Sequence, residues 1–89
     1  MDDANTPTAY DDAVAEINKI LKSCEGLPIA DALAKTRVEA QRAIERVCEA
    51  RGVLHRLQSH PPGAILTVTQ NAVDPSVIQV QLSDRLKKW

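Results

Sequence analysis

The chain has 89 residues, 26% of them charged, and a formal net charge of −1. That length holds one domain with a modest core, and the near-neutral balance argues against a general nucleic-acid or anionic-membrane surface, where positive charge clusters. There is no Phe, one Tyr and one Trp, so the core must be built from Ala, Val, Leu and Ile, and association into a homodimer is the expected supplement to so small a core.

Residues 1–7 are polar and read as a flexible N-terminal tail in front of a single domain at 8–89. Met1-Asp2-Asp3 carries neither the basic nor the apolar region of a secretory leader. No apolar run approaches the roughly 18–20 residues of a membrane span. Two cysteines in an unexported chain are expected to be reduced, which points to the cytoplasm.

A first helix is predicted over about 8–24. Thr8 followed by Asp11 is a capping pair, and Asp11 and Asp12 place negative charge in the first turn, where it complements the helix dipole. Tyr10, Val14, Ile17, Leu21 and Cys24 recur at spacings of three and four and define one apolar face. Gly26 supplies a C-terminal stop, with Pro28 two residues on.

A second helix is predicted over about 28–58. Its apolar positions are Ile29, Leu33, Ala40, Ile44, Val47 and Leu54, while Glu39, Arg42, Glu45, Arg46 and Glu49 alternate in sign on the other side. Because Val53, Leu54 and Leu57 continue the pattern, Gly52 is read as tolerated inside this helix. His60-Pro61-Pro62-Gly63 breaks it.

The last third changes character. Residues 64–69 are rich in β-branched side chains, and residues 77–82 alternate with period two at Ile78, Val80 and Leu82, so both read as strands. Asn71 to Ser76 forms the connecting turn. The fold class is therefore α+β, an antiparallel helical hairpin followed by a two-stranded β-hairpin. An all-α alternative uses Asp74-Pro75-Ser76 as a helix start and makes residues 75–89 a third helix, lined by Ile78, Leu82, Leu86 and Trp89.

A short loop makes the two helices antiparallel. Counting out from the loop sets Leu21 opposite Leu33, Ile17 near Arg37 and Tyr10 near Ile44. The stretch from Val47 to Gln58 then overhangs the first helix by about 15 Å. Charge follows the same division. Residues 1–26 hold six acids and two bases, a net of −4, and residues 27–58 hold four acids and six bases, a net of +2. Cys24 by the loop and Cys48 far along the second helix lie about 30 Å apart, beyond the reach of a disulfide. Both are read as small buried apolar residues.

No catalytic constellation emerges. His55 and His60 are the two histidines, and neither has the acid or cysteine companions of a zinc site or a motif-fixed nucleophile nearby. No cofactor, metal or enzymatic activity is expected. Arg37 falls beside the apolar arc, where Glu16 would pair with it. Arg51 falls in the overhang, where an intrachain acid is hard to find. The function expected is protein binding, as an adaptor, inhibitor or assembly subunit, through Val47, Arg51, Leu54, His55, Leu57 and Trp89. Trp89 is either a packed C-terminal anchor or an interface anchor. The competing class is nucleic-acid binding through Arg42, Arg46, Arg51 and Arg56 with the tail Arg85, Lys87 and Lys88. Glu39, Glu45 and Glu49 interrupt that stripe, and no recognition helix is apparent.

Overall fold

The computed structural model describes residues 7–61 and 63–89. The predicted tail lies outside the described residues except for Pro7. The first helix, α1, runs over Ala9–Ser23. Its N-terminus is a reciprocal capping box, in which Asp11 N–H donates to Thr8 Oγ1 at 3.2 Å and Thr8 N–H donates to Asp11 Oδ2 at 3.0 Å. Two backbone donors that the helix itself leaves unpaired are thereby satisfied.

The second helix, α2, runs over Ile29–Ala50 and then stops. The predicted helix through Gln58 is thus two elements, because α3 follows at Leu54–Gln58. Gly52 is the reason. It adopts φ +74, a left-handed conformation that glycine takes without steric cost. Its N–H donates to the Glu49 carbonyl at 3.0 Å and Val53 N–H to the Cys48 carbonyl at 2.8 Å. This is a Schellman termination, satisfying two carbonyls at the end of α2 and turning the chain. Leu54 and Leu57 therefore fold back toward the core instead of projecting past it.

Strand β1 covers Leu66–Gln70 and strand β2 covers Ile78–Leu82. They pair antiparallel, with Leu66 opposite Leu82, Val68 opposite Val80 and Gln70 opposite Ile78. The α+β reading holds, and the strand edges shift by one or two residues. The signal that suggested a third helix is used differently. Asp74 Oδ1 accepts from Ser76 N–H at 3.1 Å and from Ser76 Oγ at 2.6 Å, while Asn71 Oδ1 accepts from Val73 and Asp74 N–H at 2.8 and 3.0 Å. These side chains close the hairpin loop in the way Asx turns do. After β2, Asp84–Lys87 forms a single 3₁₀ turn capped by Ser83, and it carries Leu86 into the core.

The helices meet in a different alignment from the one counted out from the loop. Asp12 faces Arg51, Glu16 faces Arg46, and Cys24 Sγ lies 3.6 Å from Thr36 Oγ1. Relative to the expected alignment, α2 is slid by about two helical turns. Ala9 and Ala13 of α1 and Ala40 and Ala43 of α2 are fully buried, and such small side chains let helix backbones approach closely. The core thus forms where alanines face one another around Ile17, Ile44 and Val47. The end of α2 that reaches past α1 is consequently its first turns, beside the Leu27 loop, and the region from Val47 onward is covered.

Candidate functional site

The sheet has one apolar and one polar face. Val68 is buried and Leu66, Ile78, Val80 and Leu82 are partly so, whereas Thr67, Thr69, Gln79 and Gln81 are exposed. Directly opposed residues share a face, so the apolar side chains of both strands point toward the helices. β1 lies against α2, and the 3₁₀ turn lies against α1.

The hydrogen-bond parity of the ladder follows from its two ends. Asn71 N–H donates to the Val77 carbonyl and Ser83 N–H to the Ile65 carbonyl, both at 2.9 Å. Both pairs continue the β1–β2 register, so the hydrogen-bonded pairs are those at odd-numbered positions. Ile78, Val80 and Leu82 therefore turn their backbone N–H and C=O groups away from β1. Among the described residues no side chain or loop bonds to them. The outer edge of β1 differs, since Arg37 Nε donates to the Val68 carbonyl at 3.3 Å. This also corrects the expected Arg37–Glu16 pair. Glu16 instead faces Arg46 at 3.6 Å and Lys19 at 3.5 Å.

Beside the free edge of β2 runs a groove of about 490 Å³, walled by Tyr10, Val14, Ile17, Asn18 and Leu21 of α1 and by Val80, Gln81 and Leu82 of β2. α1 turns this row toward β2 because positions 10, 14, 17 and 21 recur at helical spacing while Ala9 and Ala13 face α2. At one end Lys87 Nζ stands 4.8 Å from the centre of the Tyr10 ring. At the other end Leu21 is shared with a second depression lined by Leu27, Ile29, Val77 and Ile78. Leu27 and Val77 are 42% and 46% exposed, and Val73 on the hairpin loop is 94% exposed. Two of the large exposed apolar side chains, Leu27 and Val77, thus lie at one end of the groove.

The residues singled out in the sequence occupy other surroundings. Val47 and Leu57 are buried in the core, and Leu54 and Trp89 pack half-buried against it. Arg51 has the acid partner that was not expected. Its Nε and Nη2 donate to Asp12 Oδ2 at 3.0 and 2.7 Å, and Nη2 also donates to the Pro7 carbonyl at 2.9 Å. His55 is exposed. The ring of Trp89 lies 5.5 Å from that of His60. His60 Nδ1 donates to the Arg56 carbonyl at 2.7 Å, and Nε2 accepts from Arg85 Nη1 at 3.3 Å. These contacts give His60 a structural role in closing the C-terminus. Premised on an overhang, the expected surface does not assemble as one exposed face.

The edge of β2 was missed, although its signal is in the sequence. Ile78, Val80 and Leu82 alternate with uncharged Gln79 and Gln81, and natural edge strands are commonly protected by charge, proline or a bulge.

Both cysteines are free and buried. Burial pushes the Cys48 thiol above its ordinary value, with the nearby Arg51 charge opposing that shift. Among the described residues no group of His, Cys, Asp and Glu is arranged to hold a metal ion, and no helix is long and apolar enough to cross a membrane. No known family, characterised protein or solved structure matches the chain.

Proposed function

We propose that this chain is a small protein-binding module, an adaptor, inhibitor or assembly subunit with no catalytic role. It engages its partner by strand addition at the free edge of β2. The observation that carries the reading is the juxtaposition of unpaired backbone groups at Ile78, Val80 and Leu82 with the groove along α1, where Val14, Ile17 and Leu21 supply the apolar wall. Strand addition uses both features, since main-chain hydrogen bonds hold an extended segment and alternate side chains drop into the groove.

The economy of the core supports association. The largest fully buried side chains are Ile44, Leu86, Thr36 and Cys48, and alanines make up much of the rest. A two-stranded sheet gains little by itself in water, and a third strand over α1 would cover Val14 and Leu21. The partners accordingly include a second copy of the chain. The two buried free thiols support a reducing setting such as the cytoplasm.

Selection from a display library of random peptides tests the reading. Recovered peptides should carry apolar residues at alternate positions and lose binding when Val14→Asp places a charge in the groove. An empty selection, or peptides indifferent to that variant while it stays folded by circular dichroism, refutes strand addition.

A further inference from the structure

Resting on that reading, we infer that the occupant of the β2 edge is β2 of a second copy, paired antiparallel about a two-fold axis through Val80. The parity of the ladder permits this register. In it Val80 pairs with the partner's Val80, and Ile78 pairs with the partner's Leu82. All of these positions point their N–H and C=O groups outward. Each pair exchanges two backbone bonds, so the unpaired edge groups on both copies are satisfied together. Residues paired across a ladder share a face. The partner's Ile78, Val80 and Leu82 therefore extend the apolar layer, and Gln79 and Gln81 stay in water. The result is a four-stranded sheet without a break, its apolar face resting on four helices.

A second, independent feature selects a copy of this chain over an unrelated strand. The same axis brings α1 toward its own counterpart in antiparallel orientation. Ile78 is level with Leu21, sharing a depression with it, and the chain after Leu82 reaches Tyr10. Four strand residues span about 13 Å, equal to about nine residues of helix. Val80, midway, stands abreast of Glu16 and Ile17. Asn18 lines the groove, and helical spacing puts exposed Asp11 and exposed Lys22 on the same line of α1, one on each side of it. The midpoint of that acid–base pair falls between Glu16 and Ile17 as well. A two-fold axis at Val80 thus sets Asp11 against the partner's Lys22, and Lys22 against the partner's Asp11. Isologous contacts require this kind of self-complementarity. The charges on α1 are matched in sign, and Val14 and Leu21 are covered by the partner's β2.

Sedimentation of the whole chain, with strand-directed variants, tests the inference. The wild type should be a dimer at micromolar concentration. Val80→Pro removes an outward-pointing N–H and no intrachain ladder bond, so the hairpin survives, and the dimer dissociation constant should rise at least about tenfold and well beyond that of Val80→Ala. Lys22→Glu should weaken the dimer by about three- to tenfold at low salt, and the effect should fade as salt is raised. Gln79→Cys and Gln81→Cys chains should crosslink when mixed and much less when each is alone, because these positions oppose each other across the axis at about 4.5 Å between Cα atoms. A wild type that stays monomeric, or a dimer indifferent to Val80→Pro with equal crosslinking in all three samples, overturns it. A monomer that still binds a synthetic peptide of residues 76–83 overturns the second copy while leaving strand addition standing.

Discussion

Arg51 and Cys48 sit one turn apart at the end of α2, and each answers to its surroundings. The Arg51 guanidinium bridges Asp12 and the Pro7 carbonyl. With Asp12 45% exposed, water screens the pair, and its contribution stays within about 1 kcal/mol. Cys48 is fully buried, and burial raises its thiol above the ordinary 9.0. The folded chain keeps a proton that the unfolded chain gives up, so stability from this group is constant below the unfolded value. It falls as pH rises through the folded value. Urea unfolding should therefore show a loss of stability from about pH 8 to about pH 10 that is smaller in Cys48→Ala. The native thiol should also react with a disulfide reagent far more slowly than the unfolded one. Burial of Cys48 was legible in the sequence from its apolar neighbours. The partner of Arg51 was not, because Asp12 lies 39 positions away and only the slide of the helices brings it near.

Among the elements, the junction of α2 and α3 shows how one glycine overrides a periodic pattern. Val53, Leu54 and Leu57 continue the apolar spacing of α2, yet the chain turns at Gly52. A Cβ there would meet nothing within 4 Å, so the effect of a substitution is confined to the backbone. Gly52→Ala should destabilise the fold by about 1 kcal/mol in urea unfolding, with Gly52→Asn milder because asparagine tolerates the left-handed region. An unchanged midpoint for the alanine variant would show that the turn relaxes. The β-hairpin was easier to read. Alternation at Ile78, Val80 and Leu82 belongs to the strand itself, whereas the competing helix borrowed its start from Asp74 and Ser76, whose side chains close a loop. Their hydrogen bonds hold the Asp74 carboxyl below its ordinary value, as a carboxylate accepting such bonds should be.

At the scale of the whole molecule, the shape is elongated. The radius of gyration is 13.7 Å, against about 12 Å for a compact chain of this length. Much surface stays uncovered, and few large side chains hold the layers together. Leu86 is one of them, fully buried where the 3₁₀ turn meets α1. Leu86→Ala should cost about 2–5 kcal/mol, a large part of the roughly 5–15 kcal/mol a domain commands. Thermal unfolding should register it as a marked fall in midpoint, together with release of Trp89 seen by fluorescence. A fall comparable to that of an exposed-site variant such as Val73→Ala would show that the C-terminal segment is dispensable to the core.

By itself the sequence determined what depends on neighbours along the chain. The capping box at Thr8, the stop at Gly26, the alternation in β2 and the helical face of Tyr10, Val14, Ile17 and Leu21 are local. Their physics acts within one or two turns or across one strand. The tertiary structure alone decided how far α2 slides along α1, because that depends on which alanine faces pack most closely and not on loop length. The slide gave Arg51 its acid and covered Val47 and Leu57. It also moved the part of α2 that α1 leaves uncovered from its last turns to its first. The free edge of β2 emerged in the same way. Its alternating residues were visible in the sequence, but which backbone groups point outward, and that they border the groove on α1, follows from the register of a ladder between segments far apart in the chain.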